Sequence, residues 1–327
     1  MTMVYDNDVQ AVDALKANFD KISAEIAKVI IGQDDVVRSV LLSVFSGGHC
    51  LLVGVPGLAK TLLVNTIADA LGLQYSRIQF TPDLMPSDIT GSEILNEKRE
   101  FKFIKGPVFA NIILADEINR TPPKTQSALL EAMQERSVTI SGTRNKLPEP
   151  FFVLATQNPI EQEGTYPLPE AQLDRFMFMV NLDYPKIDDE INIVTATTSS
   201  VTAKAETVIT ADELIAYQQL VRRIPVNENV VRYAVNVVAQ TRPNTATASV
   251  LANKYLVWGA GPRASQYLIL GAKAHAAVSG KYSPDVEDVK AVAPSVLRHR
   301  IVRNYKAEAE NVTDDTIIAE ILKNVKF

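Results

Sequence analysis

The fold of this chain is decided by Gly54-Val55-Pro56-Gly57-Leu58-Ala59-Lys60-Thr61, a glycine-bearing turn that ends in a lysine and a threonine. The residues before it, Cys50 to Val53, form a short apolar run that is typical of a strand buried on both faces. The residues after it, Thr61 to Leu71, carry apolar side chains at helical spacing. Strand, turn and helix in this order are the context of a loop that surrounds phosphates with backbone N–H groups.

The residue types in this loop suit the binding of a nucleoside triphosphate. Gly54 and Gly57 let backbone N–H groups turn inward without a Cβ in the way. Lys60 is expected to reach the β- and γ-phosphates, and the Thr61 hydroxyl is expected to bind Mg²⁺. The positive dipole end of the following helix favours the same anion. The nucleotide-binding residues predicted in this loop are Gly54, Pro56, Gly57, Leu58, Ala59, Lys60, Thr61 and Leu62.

Ala59 departs from the usual pattern, in which a glycine precedes the lysine. Alanine is the smallest step away from glycine and suits a first helical turn, so a functional loop is expected. The alternative is a chance glycine turn before a helix, because motif matches of this kind carry a real risk of false positives.

A second apolar run, Asn111 to Ala115, ends in the adjacent carboxylates Asp116 and Glu117. Open α/β sheets place their ligand chemistry at the carboxyl edge of the strands. Asp116 is therefore predicted to contribute to the nucleotide site and to hold Mg²⁺ through water, and Glu117 to polarise the attacking water as general base. A solvated acidic turn is the plainer alternative, and it fits poorly after mostly apolar residues.

Two more apolar runs adjoin polar residues. Phe151 to Thr156 leads to Asn158, whose amide could bond the γ-phosphate or the water in line with it. Phe176 to Val180 follows Asp174 and Arg175. Arg175 is either a structural salt-bridge partner of Asp174 or an arginine presented to the phosphate of a neighbouring subunit. The spacing alone does not choose between these interpretations.

Together these residues resemble the MoxR family of AAA+ ATPases. The resemblance extends from about Ile31 to Ile301, and its long motifs are Gln79 to Gly91, Ala115 to Glu135, Thr156 to Pro159 and Gly261 to Ser265. It implies ATP or ADP with Mg²⁺ as cofactors, and Thr61 and Asp116 as the metal ligands. It also implies a homo-oligomeric ring, with a hexamer favoured, that acts on a protein client. In many relatives this client is a protein with a von Willebrand factor A-type domain.

Besides the base Glu117, the resemblance adds three catalytic residues by position. Asn158 matches sensor 1, Arg175 matches the arginine finger that acts in trans, and Arg263 matches the lid arginine called sensor 2. Gln33 resembles the segment that lies against the adenine. Two further elements are implied, an insert in the second helix at about residues 81–105 and a β-hairpin before sensor 1 at about residues 137–147. Both usually face the pore of the ring or its client.

The alternation of strand and helix patterns divides the chain near Tyr184-Pro185-Lys186. The predicted fold is α/β: a P-loop AAA+ parallel-sheet core over residues 1–185, followed by a smaller all-α lid domain over residues 186–327. Within the second part, Thr210 or Asp212 is expected to cap one helix, and Ser283 to cap another with Pro284 at its first position. Arg263 is expected at the start of a helix, either as a cation over the nucleotide or held within its own domain.

Composition excludes several classes of protein. A net charge of −5 and a pI near 5.4 argue against a dedicated binder of duplex DNA. The single cysteine, Cys50, excludes an internal disulfide, and the three histidines show no zinc spacing. No run approaches the length of a membrane span, and the first eight residues lack the pattern of an export signal, which predicts a cytoplasmic protein.

The motifs and the composition of the chain are compatible with three functions. The favoured one is a ring-forming ATPase that couples hydrolysis to chaperone-like remodelling or maturation of a client, with the magnesium-chelatase motor as a close relative. A nucleotide-gated regulatory module with little turnover is the alternative, and Glu117 argues against it because a binding module has no need of a base. A helicase of the same clade is disfavoured by the acidic balance of the chain.

Overall fold

The computed structural model describes residues 7–95, 99–160, 164–198 and 203–325. Within them the strands are β1 Cys50–Gly54, β2 Tyr75–Gln79, β3 Gly91–Leu95, β4 Phe101–Lys105, β5 Ile112–Asp116, β6 Ser137–Ile140, β7 Thr143–Lys146, β8 Phe152–Gln157, β9 Phe178–Leu182, β10 Leu256–Trp258 and β11 Val302–Arg303. The helices are α1 Asp8–Ala27, α2 Asp34–Phe45, α3 Lys60–Ala70, α4 Pro86–Thr90, α5 Pro123–Glu135, α6 Glu170–Leu173, α7 Ile187–Thr197, α8 Ala211–Arg223, α9 Glu228–Gln240, α10 Val250–Tyr255, α11 Pro262–Val278, α12 Val286–Leu297, α13 Tyr305–Ala309 and α14 Asp314–Asn324.

A five-stranded sheet in the order β2-β5-β8-β1-β9 organises the first half of the chain. Every neighbouring pair in it is parallel, so the carboxyl ends of all five strands meet at one edge. Gly54 pairs with Leu182 at that edge, and Asp116 pairs with Gln79. The phosphate-binding loop and the two carboxylates therefore lie at the same rim of the sheet, as the sequence indicated. They are not on neighbouring strands, because β8 lies between β1 and β5.

Each face of the sheet is covered by its own apolar layer. Successive residues of a strand point to opposite faces, so Leu51 joins one hydrophobic cluster and Leu52 the other. The cluster around Leu51 includes Leu129 and Met133 of α5. The cluster around Leu52 continues through α1 and α2 into the C-terminal helices, which makes the core continuous across both halves of the chain.

Two antiparallel hairpins project from the first half. β3 pairs with β4 directly after the short helix α4, and residues 96–98 between those strands lie outside the described part. β6 pairs with β7 in the second hairpin. These hairpins fall in the two segments, about 81–105 and about 137–147, that the resemblance marked as an insert and a hairpin.

The second half is helical, which confirms the predicted fold class, with two local differences. β10 and β11 form a small antiparallel pair among the helices. Asp285, not Ser283, caps α12: its carboxylate accepts the N–H of Asp288 at 3.1 Å, and Asp288 in turn accepts the N–H of Asp285 at 2.8 Å. This reciprocal box satisfies two N–H groups at once, whereas the Ser283 hydroxyl donates to Pro225. Thr210 caps α8 as predicted.

None of the helices in the described part of the chain combines the length and the apolar character that crossing a bilayer requires.

Candidate nucleotide site

A cavity of about 450 Å³ opens at the carboxyl edge of the sheet, between the ends of β1, β5 and β8. It brings together residues that three separate segments contribute, namely Pro56, Gly57, Leu58, Ala59, Lys60, Thr61, Leu62, Asp116, Glu117 and Asn158. Apart from Gly54, Gln33, Arg175 and Arg263, this set contains every site residue that the sequence predicted.

The two glycines of the loop are required for different reasons. A Cβ on Gly54 would lie 2.7 Å from the Cβ of Leu182 and 2.9 Å from the Leu182 carbonyl oxygen, so no larger residue fits between β1 and β9. Gly57 has a φ of +87°, which a residue with a side chain rarely adopts. The chain therefore passes close to Leu182 at Gly54, where β1 ends, and then turns its backbone toward the cavity at Gly57.

Ala59 has φ 54° and ψ 28°, a left-handed conformation, and it is the N-cap of α3. The expectation that alanine suits a first helical turn here was wrong, because the helix begins one residue later, at Lys60. The turn itself requires a positive φ at this position, where glycine is free of strain. An alanine in this conformation costs about 1–2 kcal/mol.

Lys60 is half-buried beside Asp116 and Glu117 at the end of β5. Its ammonium group donates to the Gly54 carbonyl oxygen. Burial lowers the pKa of Lys60 from its usual value, and the charges of Asp116 and Glu117 act in the opposite direction. The side chain thus supplies a positive charge to a partly desolvated cavity, where an incoming phosphate would replace a neutral acceptor.

Asp116 is fixed by two neighbours that sequence reasoning did not assign to the site. The Thr156 hydroxyl donates to Asp116 Oδ1 at 2.7 Å, and the Arg77 guanidinium donates to Asp116 Oδ2 at 2.6 Å. The same Thr156 oxygen accepts the N–H of Glu117 at 2.9 Å. One threonine at the end of β8 therefore bonds both Asp116, the last residue of β5, and Glu117, which follows it.

Glu117 has a φ of 57° and a ψ of 50°, so the backbone turns sharply where β5 ends. Its carboxylate accepts the side-chain amide of Gln79 at 3.0 Å and forms an ion pair with Arg120 at 3.1 Å. Arg77 and Gln79 stand two residues apart on β2 and line up beside β5. Polar residues at alternate positions of a strand next to a carboxylate strand were the signal that could have identified them.

The donor chemistry of the cavity fits Mg²⁺. Thr61 and Asp116 offer oxygen atoms, the ligands that this ion prefers. Among the described residues no group of three or more His, Cys, Asp or Glu side chains is arranged to hold a metal. An ion here would therefore have few protein ligands and would be completed by phosphate oxygens and water, as is usual for Mg²⁺ in nucleotide sites.

Two predicted residues flank the loop and the cavity. Asn158 lies on the cavity wall, and its side-chain oxygen accepts the N–H of Ile160 at 3.1 Å. Gln33, directly before α2, donates its amide N–H to the Leu58 carbonyl at 3.3 Å. The Gln33 side-chain oxygen is buried and has no hydrogen-bond partner among the described residues.

Arg175 lies away from this cavity. It precedes β9, whose first residues pair with the start of β1, and the neighbouring Met177 N–H bonds the carbonyl of His49 just before β1. Arg175 is therefore near the amino edge of the sheet, about 16 Å from the carboxyl edge at ~3.3 Å per strand residue. Its guanidinium donates to the Leu130 carbonyl at 2.6 Å and lines a second, polar cavity with Glu131, Glu135 and Arg144 among others.

The salt bridge considered between Asp174 and Arg175 is absent from this described segment. Asp174 ends α6 and faces the C-terminal helices, whereas Arg175 faces α5, because the chain turns between them. Asp174 instead pairs with Arg263 at 3.0 Å and with Arg300 at 2.7 Å. Arg263 stands at the start of α11, as predicted, and its partner belongs to the first half of the chain.

Comparison with known proteins agrees with this architecture. A model of the ATPase family associated with various cellular activities (AAA) matches residues 49–178, and an AAA lid domain model matches residues 248–321. The chaperone MoxR1 of Mycobacterium tuberculosis is 45% identical over 92% of this chain and 80% of its own length. The uncharacterised protein YeaC of Bacillus subtilis is 41% identical over 92% of both chains.

More distant relatives and a solved structure show the same similarity. The protein MoxR of Methylorubrum extorquens is 29% identical over 90% of this chain and 91% of its own. A crystal structure from Cytophaga hutchinsonii, described as that of a candidate ATPase, superposes with a TM-score of 0.88 at 41% identity and covers 97% of both chains.

Proposed function

Because the chain belongs to the MoxR family of AAA+ ATPases, we propose that it hydrolyses ATP to ADP and phosphate with Mg²⁺ and couples this to the remodelling or maturation of a protein client. The observation that carries the proposal is the cavity in which Lys60, Asp116 and Glu117 meet. A cation for the phosphates, a carboxylate for the metal and a second carboxylate for the water are the groups that phosphoryl transfer to water requires.

In this proposal each residue of the cavity has a separate task. The backbone of the loop and Lys60 bind the phosphates, and Thr61 and Asp116 hold Mg²⁺, which when bound neutralises charge on the phosphate oxygens. Glu117 accepts a proton from the attacking water, and Asn158 orients that water or the γ-phosphate. Thr156 keeps Asp116 and Glu117 in place, and Gln79 and Arg120 hold the Glu117 carboxylate until the water arrives.

The buried oxygen of Gln33 supports adenine as the base. An acceptor without a partner beside the phosphate loop is complemented by a hydrogen-bond donor. The exocyclic amino group of adenine supplies such a donor, whereas guanine carries a carbonyl oxygen at the equivalent position. We therefore assign Gln33 to base recognition.

The positions of Arg175 and Arg263 support a site completed between subunits. Arg175 lies near the opposite edge of the sheet from its own cavity, so it acts, in this proposal, on the nucleotide of a neighbouring copy. Arg263 pairs with the residue next to Arg175 and is assigned to the same shared site. We propose a homo-oligomeric ring, with a hexamer favoured, built from a core of residues 1–185 and a lid of residues 186–327.

The client role rests on the relatives. The mycobacterial relative is named a chaperone, and we extend this role to the present chain, with the exposed hairpins at about 81–105 and 137–147 as the elements that face the pore or client. We also propose that the client carries a von Willebrand factor A-type domain and that the protein acts in the cytoplasm.

The test compares the single variants Glu117→Gln and Lys60→Ala, and uses Glu228→Gln as a matched control on an exposed carboxylate of α9. Binding is measured with a fluorescent ATP analogue, and turnover as phosphate release at increasing protein concentration. We expect Lys60→Ala to lose binding, and Glu117→Gln to keep binding while losing at least about a hundredfold in turnover, the order expected for general-base catalysis. Glu228→Gln should match the wild type. Unchanged turnover in Glu117→Gln would refute its role as base, and binding without turnover in the wild type at every concentration would favour a regulatory module.

A further inference from the structure

Arg77 places a guanidinium on the carboxylate that is proposed to hold the metal. Its Nη2 donates to Asp116 Oδ2 at 2.6 Å, and its Nε donates to the same oxygen at 3.2 Å. A carboxylate oxygen accepts through two lone pairs, so these two N–H groups fill the acceptor sites of Oδ2. The other oxygen, Oδ1, accepts from the Thr156 hydroxyl. The protein's own donors therefore hold Asp116 from two sides.

The two contacts differ in how readily they open. Thr156 is 1% exposed, and its short side chain is fixed on β8, between β5 and β1. The Arg77 side chain is 46% exposed and extends from β2, which is at the edge of the sheet. Its Nη2 also donates to Gln79 Oε1 at 2.6 Å, so the guanidinium keeps a partner on its own strand. Because a partly exposed ion pair contributes little stability, Arg77 can release Asp116 at small cost.

The charges around the cavity disfavour a metal ion that arrives alone. Asp116 is paired with Arg77, and Glu117 is paired with Arg120 at 3.1 Å. Within the part of the chain that the structure describes, each of the two carboxylates thus has an arginine partner, and the half-buried Lys60 adds a further positive charge beside them. A divalent cation gains little from a carboxylate whose charge is already compensated. The phosphates of a nucleotide, in contrast, bring negative charge of their own.

We propose that Arg77 determines the order in which the site is filled. By compensating the charge of Asp116 it excludes free divalent cations, and it releases Asp116 to a metal ion that arrives with the phosphates of a nucleotide. Arg77 approaches Asp116 from β2 and is not one of the described residues that line the cavity, so it acts on the metal through Asp116. The inference rests on the proposed function, because it concerns the metal carboxylate of that same site.

Binding of Mn²⁺ to the nucleotide-free protein tests this inference without any turnover. Mn²⁺ takes the same oxygen ligands as Mg²⁺, and the electron paramagnetic resonance signal of the free ion is lost when the ion binds. We expect Arg77→Gln to lower the Mn²⁺ concentration for half-saturation at least about tenfold, the order expected from one unit charge close to a divalent ion. Arg77→Ala, which also removes the bond to Gln79, should give the same shift.

Two further variants show where the additional ion binds. Arg232→Gln removes one positive charge from an exposed ion pair of α9 and should bind Mn²⁺ like the wild type. The double variant Arg77→Gln/Asp116→Asn should lose the binding that Arg77→Gln gains. Circular dichroism checks that each variant is folded, which we expect because Arg77 is half-exposed.

Two results would overturn the inference. Equal Mn²⁺ affinity of Arg77→Gln and the wild type would show that the charge of Arg77 does not exclude the ion. Weaker binding by Arg77→Gln would show that Arg77 prepares Asp116 as a ligand and does not compensate it.

The same measurements distinguish this inference from the proposed function. Unchanged Mn²⁺ binding by Arg77→Gln, in a protein whose wild type hydrolyses ATP, refutes the role of Arg77 alone. Tighter Mn²⁺ binding by Arg77→Gln, in a protein whose wild type binds ATP without turnover, supports the role of Arg77 and refutes the enzymatic proposal.

Discussion

The Asp174 carboxylate accepts a hydrogen bond from Arg263 at 3.0 Å and thereby joins the end of α6 to the start of α11. Its other oxygen accepts from Arg300 at 2.7 Å, and Arg300 is buried and also donates to the carbonyls of Phe176 and Met177. One carboxylate therefore ties a buried arginine and a part-exposed arginine of the C-terminal half to the sheet domain. A phosphate that binds Arg263 would therefore compete with Asp174.

Asp174→Asn should strengthen the response to ATP at a cost in stability. The Asp174–Arg263 pair is partly exposed, and such a pair contributes up to about 1 kcal/mol, so its removal should lower the KM for ATP by up to about fivefold. The loss of a charged acceptor for Arg300 should lower the free energy of unfolding by about 1–3 kcal/mol. Steady-state kinetics and urea unfolding measure the two effects.

Asp315→Asn is the matched control for this change. It removes a carboxylate that is 49% exposed and pairs with Arg298 at 2.6 Å in the C-terminal helical part of the chain. The KM should stay at the wild-type value, and the loss of stability should remain below about 1 kcal/mol. A rise in KM for Asp174→Asn would show that Asp174 prepares Arg263 for phosphate and does not compete for it.

Arg175→Ala should abolish turnover and leave nucleotide binding intact, because the proposed role of Arg175 is in the site of a neighbouring copy. An arginine finger contributes about 10³–10⁵-fold to turnover. Mixed rings of Arg175→Ala and Glu117→Gln chains should regain part of the activity, since a chain with an intact Glu117 can receive Arg175 from its neighbour. Phosphate release as a function of the mixing ratio measures the recovery.

Arg144→Ala is the control for the loss of a positive charge in the same polar cavity. Arg144 belongs to the β6–β7 hairpin and donates to the Ser137 hydroxyl at 2.8 Å. An exposed interaction of this kind contributes about 0.5 kcal/mol, so its loss should change turnover by less than about threefold. Mixtures that never exceed the activity of the separate variants would remove the support for a shared site.

The phosphate loop and its neighbouring strands could be predicted because they depend on local patterns. Apolar runs before Gly54 and Asp116 specify buried parallel strands, and the parallel arrangement alone brings their carboxyl ends together. Side-chain direction at a turn is not encoded in this way. Asp174 and Arg175 are adjacent in sequence, yet they face different helices, and only the packing of α5 and α11 determines which partner each one meets.

Other features escaped prediction because they join distant residues. Thr156 touches two carboxylate residues that precede it by about 40 positions, so its role follows from the order β5-β8 in the sheet. The sequence predicts Ser283 as the cap of α12, because Pro284 suits a first helical position. The box between Asp285 and Asp288 satisfies more backbone groups and places the helix start two residues later.

Ala59→Gly should stabilise the protein. The native Ala59 has a φ of 54°, a conformation that costs alanine about 1–2 kcal/mol, whereas the added freedom of glycine in the unfolded chain costs about 0.4–1 kcal/mol. The free energy of unfolding should therefore rise by about 0.5–1 kcal/mol in urea. Ala216→Gly, in the interior of α8, should instead lose about 1 kcal/mol. If Ala59→Gly lost as much stability as Ala216→Gly, the proposal that the Ala59 backbone is strained would be wrong.

His49 should make the protein less stable as the pH falls below neutrality. It is buried, its Nδ1 accepts the N–H of Val153 at 3.0 Å, and its Nε2 lies 3.2 Å from the Met133 carbonyl, which suits a neutral ring. Burial lowers the pKa of His49 to about 4, whereas the unfolded chain titrates near pH 6.5. Between these values the unfolded state binds more protons than the folded state, so the free energy of unfolding decreases as the pH is lowered. At 1.36 kcal/mol per pKa unit, the total loss is about 3 kcal/mol.

The share of His49 is isolated by His49→Gln, which removes the titration and keeps an amide that can donate and accept. Burial also holds the pKa of His299 well below its usual value, so His299 produces a loss of the same sign in both proteins. Urea unfolding at pH 7, 6 and 5 should give a shallower decline for His49→Gln than for the wild type, with the difference growing toward low pH. Parallel declines would show that the folded protein accommodates the proton on His49 at little cost.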